Sequence, residues 1–252
     1  RVVVNALGRE QLRAFRWSKV AMVFQGAQSA LNPVATVYKQ FYETMKVHVP
    51  GVTKKQVLER SRQVLEIVNL DPDRVLGMYP HELSGGMKQR IMIAFSLLLK
   101  PEMLILDEPT TALDVITQDY IFNILKKINR EMHVSMLLLT HDMGVVAKYS
   151  DYMGVMYAGQ LMEYGTTPEV FEKRLHPYTD RLIGATPSLY LPVTAVKSIH
   201  GDPPDMLHLP EGCPFAPRCK KCVPTCNTVR PAGVKVGEEH FVKCILPERE
   251  VR

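Results

Sequence analysis

The chain has 252 residues, enough for one full α/β domain and a small appendix. Its apolar content of 46% and charged content of 23% are close to those of ordinary globular proteins, which excludes a disordered or fibrous class. The net charge of +5 is mild and is spread along the chain rather than gathered into a basic stripe, so nucleic acid is not indicated as a partner.

Apolar stretches such as Met136-Leu137-Leu138-Leu139 are far shorter than the roughly 20 residues that cross a bilayer. Any membrane link is therefore expected to run through a partner. The sequence opens on Arg1 without a leader pattern and reads as an internal start, the mark of a fragment. All five cysteines lie between Cys213 and Cys244, which marks a local site and not a disulfide framework.

In chain order, Lys19 to Phe24 predicts a strand, followed by a polar loop from Gln25 to Asn32. Thr53 and Gln56 have capping-box spacing, and Val57, Leu58, Val64, Leu65 and Val68 recur at helical intervals until Asp71-Pro72 stops the run. A second helix spans Met87 to Leu99, entered through Ser84-Gly85-Gly86 and ended at Lys100-Pro101. Met103 to Leu106 and Val134 to Leu139 are nearly continuous apolar runs, as expected of parallel strands buried on both faces. Between them Asp114 can cap a helix running to about Asn129, which completes a βαβ unit. Asp151 to Tyr164 predicts two short strands turning at Ala158-Gly159, and Pro168 to Arg174 a short helix. From Ala185 to Pro214 prolines recur and periodicity fades, so a linker is expected before a small Cys-rich module.

Chemistry gathers at strand ends and at one helix start. The strand Leu104-Ile105-Leu106 ends in Asp107 and Glu108, at the carboxyl edge where α/β sheets place ligands. In nucleotide hydrolysis such a pair divides the work: Asp107 holds Mg²⁺ and Glu108 polarises the attacking water. A neighbouring strand would deliver His141 beside them, where an imidazole can contact a γ-phosphate. Ser84, Gly85 and Gly86 offer a hydroxyl and free amides at the positive end of a helix, an anion site.

Taken in order, these segments resemble the ABC-transporter ATPase family over roughly Lys19 to Lys173. Gln25 matches its Q-loop, Leu83 to Gln89 its signature motif, Leu104 to Glu108 its Walker B, Ala112-Leu113-Asp114 its D-loop and His141 its switch histidine. The resemblance implies an α/β P-loop NTPase fold of the ABC ATPase type. It assigns residues 1–175 to that domain, with a helical subdomain at about 26–100 that meets membrane subunits, and 176–252 to an extension. It further implies a head-to-tail pair of ATPase subunits, in which Gln25, Asp107, Glu108 and His141 serve the chain's own ATP and Ser84, Gly85, Gly86, Gln89 and Asp114 the partner's.

Leu31-Asn32-Pro33 after Phe24-Gln25, Met87 within the signature, and His176-Pro177-Tyr178-Thr179 resemble the ATP subunits of dipeptide and oligopeptide importers, features that nickel and some sugar-derived importers share. That branch implies two permease subunits, an extracytoplasmic substrate-binding protein and a place on the cytoplasmic face of the membrane. A non-transport ABC ATPase is the alternative, and usually carries two cassettes or a long coiled coil, neither of which is seen here. The family's Walker A pattern, Gly-x-x-x-x-Gly-Lys-Ser/Thr, is missing before Gln25. With every later motif intact, truncation is the expected cause, and this fragment is expected to be inactive. An inactive ATPase remnant carrying a metal-binding module is the other reading of the gap.

Cys213, Cys219, Cys226 and Cys244 offer four soft ligands, with Cys222 as a fifth thiol, suiting tetrahedral zinc or an iron–sulfur cluster. Their spacing resembles the tail of peptide-importer ATP subunits, some of which carry [4Fe–4S]. Free or disulfide-bonded cysteines are the remaining alternative, the disulfide disfavoured by the reducing cytosol that the resemblance implies.

Overall fold

The computed structural model describes residues 3–26, 29–111, 113–186 and 199–246, which divide into two compact units, Arg1–His141 and Asp142–Arg252. The domain expected at 1–175 straddles this division.

The first unit is built on three parallel strands, β1 (Val20–Val23), β2 (Met103–Asp107) and β3 (Ser135–Leu139), in the order β1-β2-β3. Register pairs Val23 with Leu106 and Leu106 with Leu138. Because side chains alternate along a strand, Ala21, Val23, Leu104 and Leu106 share one face, and all four are buried. The opposite face is not covered as the apolar runs predicted: Leu137 and Leu139 are 44% and 40% exposed. Apolarity records what a face requires, and among the described residues no element supplies the cover.

Before β1 lies α1 (Arg9–Phe15), and between β1 and β2 run α2 (Val37–His48), α3 (Lys54–Ile67), α4 (Pro72–Val75) and α5 (Gly85–Leu97). The capping box at α3 forms as its spacing predicts, with Gln56 N donating to Thr53 Oγ1 and Thr53 N to Gln56 Oε1. Val57, Val64 and Leu65 of α3 are fully buried, whereas Leu58 points outward. Asp71-Pro72 does more than stop a run: Asp71 caps α4, with Pro72 at its first position. At the far end of α5, Arg60 donates to the carbonyls of Leu97 and Leu98 at 2.6 and 3.0 Å, satisfying acceptors that the helix leaves open. Between β2 and β3, α6 (Val115–Met132) buries Ile121, Leu125 and Ile128 and starts at Asp114. It runs past Asn129 and ends at His133, whose φ of 53° gives a left-handed cap.

The second unit holds α7 (Met143–Tyr149), β4 (Tyr152–Tyr157), β5 (Gln160–Thr166), α8 (Thr167–Lys173) and α9 (Pro177–Gly184), then α10 (Thr225–Thr228), β6 (Val234–Lys235) and β7 (Phe241–Val242). Ala158 and Gly159, both at positive φ, make the two-residue hairpin turn between β4 and β5. The sheet is antiparallel in the order β4-β5-β7-β6, so the Cys-rich tail adds two strands that composition did not predict. A buried carboxylate joins tail to hairpin. Glu163 of β5 accepts from the Leu175 and His176 amides and lies 2.9 Å from His240 Nε2, with both side chains of the pair fully buried. Of the expected linker, residues 187–198 lie outside those described.

Candidate functional site

The chemistry expected at the carboxyl edge of the first unit's sheet is assembled by β2 and β3 being neighbours. The Glu108 amide donates to Leu139 O at 2.9 Å, carrying the strand pairing one residue past β2. Its φ of 43° is a left-handed conformation that a non-glycine residue adopts only when its surroundings hold it there. The turn aims the side chain at three partners. Oε1 lies 2.7 Å from His141 Nδ1, and Oε2 accepts from Gln25 Nε2 at 3.1 Å and from Thr111 Oγ1 at 2.9 Å.

The bonds from His141 and then Thr111 hold the Glu108 carboxyl below its ordinary pKa, so it is charged. An ionised carboxylate can only accept, which requires His141 Nδ1 to carry its proton and leaves Nε2 facing outward. A carboxylate has about four acceptor positions, three of them filled here, so one remains for a water molecule. Asp107, half-buried, ends β2 on the same sheet face as Leu139.

Sequence reasoning placed Gln25, Asp107, Glu108 and His141 here and overlooked Thr111. A signal existed: Thr111 N closes a turn on Glu108 O at 3.2 Å, and a hydroxyl three residues past a strand-end acid falls back onto it.

A second group lies at the start of α5. Ser84 caps the helix, its Oγ accepting from Met87 N at 3.3 Å, which leaves the hydroxyl proton free to donate. A side chain on Gly86 would come within 3.1 Å of Thr117 Cγ2, so Thr117 would have to give way by a few tenths of an ångström to admit one. Thr117 in turn binds Asp114 through its amide and its hydroxyl, at 2.9 and 2.7 Å, and these bonds hold the Asp114 carboxyl below its ordinary pKa. Gly85 opens α5. Gln89 is 3% exposed, and its Nε2 has no acceptor among the described residues, so it faces the interior. Ala112 of the D-loop segment lies outside the described residues.

The expected metal set of the second unit requires correction. Cys213, Cys226 and Cys244 are buried, and Cys219 and Cys222 half-buried, against Tyr157, Met162 and Phe215. All five are free thiols. Burial raises the thiols of Cys213, Cys219 and Cys222 and pushes Cys244 up to about 11, with neighbouring thiols adding to the effect. Among the described residues no three His, Cys, Asp or Glu side chains could hold one metal ion. The residues therefore do not fit the iron–sulfur cluster or zinc expected at Cys213, Cys219, Cys226 and Cys244. They pack as small apolar side chains.

A three-stranded parallel sheet carrying an acid, an imidazole and an amide at its carboxyl edge, with a capped glycine helix start, defines an ATP-hydrolysing ABC cassette. Residues 4–111 match the ABC transporter family, and residues 162–226 the C-terminal region of oligopeptide/dipeptide transporters. The chain is 41% identical over 239 residues to the dipeptide transport ATP-binding protein DppD of Caldanaerobacter subterraneus, covering 95% of this chain and 73% of that protein. It is 43% identical over 232 residues to the oligopeptide transport ATP-binding protein OppD of Salmonella typhimurium, covering 92% and 69%. The solved dimeric ABC cassette MJ0796, bound to ADP and Pi, superposes with a TM-score of 0.56 at 28% identity over 65% of this chain and 69% of that one. The cbiO1 subunit of Clostridium perfringens gives 0.58 at 28% identity over 66% and 64%. The chain thus belongs to the ATP-binding subunits of the dipeptide and oligopeptide ABC transporters.

Proposed function

We propose that the protein powers uptake of dipeptides or oligopeptides by hydrolysing ATP, and that Glu108, held by Gln25, Thr111 and His141, is the base that prepares the attacking water. That three-donor clamp carries the reading: it fixes a charged carboxylate at a sheet edge and leaves one acceptor position for water. Asp107 would hold Mg²⁺, since this ion takes one or two carboxylates and completes its shell with water and phosphate oxygens. The ion neutralises charge on the phosphates when bound.

Ser84, Gly85, Gly86 and Asp114 serve the ATP of a second ATPase subunit, paired head to tail with this one, whereas the Gln89 side chain is buried in its own unit and does not reach that ATP. Two permeases hold the pair at the cytoplasmic face of the membrane and receive substrate from a binding protein. Among the described residues no helix is long and apolar enough to cross a membrane, in keeping with attachment through such partners. Residues 1–175 form the ATPase domain, with its helical subdomain at about 26–100, and 176–252 the extension. The phosphate-binding loop lies on a segment outside this sequence. The open sheet face at Leu137 and Leu139 supports that placement, because it is apolar surface of the kind another element covers.

Uptake of a labelled dipeptide by cells lacking the gene tests the substrate: loss of uptake, with nickel accumulation unchanged, is expected, and the reverse pattern overturns the peptide reading. Phosphate release tests the missing loop. This chain alone should turn over ATP at background and a chain extended by the loop segment well above it, whereas turnover by the short chain would require phosphate ligands elsewhere.

A further inference from the structure

We propose that the second unit carries a separate binding site for a phosphate-bearing anion, in a cavity of about 380 Å³ between the end of α8, the start of α9 and the loop bearing Cys219. Lys173, Arg174, Arg181, Arg218, Lys220 and Lys221 line it, against only Glu172 and Asp180. The side chain of Phe215, buried to 1% exposure, contributes to its wall.

The excess of positive charge is uncompensated where it matters. Among the described residues, Lys173 is the cavity cation with an acidic partner, Glu169 at 2.8 Å. Arg174 and Arg218 are held instead by neutral groups: Arg174 Nε donates to Phe171 O at 2.7 Å, and Arg218 to the carbonyls of His200 and Ile199 and to the Tyr157 hydroxyl. These bonds fix both guanidiniums without cancelling their charge. A planar fork already oriented loses little freedom when it binds, which is what favours arginine for phosphate recognition. Lys220 and Lys221 stand exposed at the rim, where they draw an anion in and meet its outer oxygens. Six cations around one concavity add their fields, so a multiply charged oxyanion is favoured over a monovalent one.

The same chemistry fits a free phosphate compound and a phospholipid headgroup, and two probes separate the sources. Calorimetric titration of this chain with pyrophosphate tests the first. Co-sedimentation with phosphatidylcholine vesicles, with and without phosphatidylglycerol, tests the second. Binding in either arm is expected to weaken about tenfold or more in the double variant Lys220→Ala/Lys221→Ala, and likewise in Arg181→Gln. Lysine-to-arginine replacement at 220 and 221 should restore it. The exposed lysines are not needed for folding, which unchanged circular dichroism of the double variant would verify. Ser84→Ala controls for uptake at the start of α5. Absence of binding in both arms, equal binding by the double variant, or loss on Ser84→Ala alone would overturn the proposal. None of these readouts depends on ATP turnover.

Discussion

His141 Nδ1 stands 2.7 Å from Glu108 Oε1, although the two residues leave different strands. The contact exists because β2 and β3 are parallel neighbours in register, Asp107 beside Leu139, so the residues following each strand emerge at one edge. Glu108 is thereby oriented by this chain's own residues, the preorganisation that the proposed base role requires.

Thr111 shares that work through its 2.9 Å bond to Glu108 Oε2. Thr111→Val keeps the shape and removes the donor, so the Glu108 pKa should rise. Protonation disables a base as pH falls through its folded pKa, hence the acidic limb of the pH–rate profile for kcat/KM should move to higher pH. The chain extended by a phosphate loop is the enzyme to measure, and an unmoved limb would remove Thr111 from the clamp.

At the start of α5, Gly86 has little space before Thr117 Cγ2. Gly86→Ala should push Thr117 and its partner Asp114 aside and impair subunit pairing on ATP more than folding. Light scattering with ATP and a denaturant titration read the two effects. An unaffected ATP-driven dimer would detach this contact from the interface.

Much of this edge was legible in the sequence, because its cues are local. Asp107-Glu108 at the end of an apolar run, the Ser84 cap and the Thr53–Gln56 box each declare themselves within a few residues. Thr111 was harder, since its role depends on a turn, and the burial of Gln89 depends on which face of α5 meets the core. The added strands β6 and β7 escaped notice because each is two residues long and gains stability only from pairing across the chain, β7 with β5 and β6 with β7. Cysteine spacing suggested ligation, whereas the thiols pack against Tyr157, Met162 and Phe215, and among the described residues no three of them gather as one metal site. Spacing reports order along the chain and is silent about local polarity.

In the second unit, Glu163 is fully buried against two amides and His240. Glu163→Ala strands those donors and should destabilise the unit by about 3–5 kcal/mol. Guanidinium unfolding measures this, and a loss below about 1 kcal/mol would mean water reaches the cluster.

Burial drives the His176 pKa down to about 4, so the folded unit holds this ring neutral. The unfolded chain, at an ordinary value near 6.5, takes up a proton first. The resulting stability is complete above about pH 6.5 and is lost as pH falls towards 4. Replacing His176 with Asn preserves an acceptor for the Tyr178 amide and should flatten that dependence in thermal melts across the window; an unchanged slope would assign the acid sensitivity elsewhere.

The thiols give a further test. Ellman's reagent should modify half-buried Cys219 and Cys222 first, and Cys213, Cys226 and Cys244 only as the unit unfolds. Iron with sulfide, or stoichiometric zinc, in anaerobically purified protein would contradict apolar packing of these cysteines.

The most direct test of the account is Glu108→Gln in the enzyme that carries its phosphate loop. The amide is nearly isosteric and cannot take the proton from water. ATP binding should persist, with hydrolysis slowed by roughly 10²–10⁴-fold and ATP-bound dimers accumulating. Undiminished phosphate release from that variant would contradict the role assigned to Glu108, and with it the mechanism built on this edge.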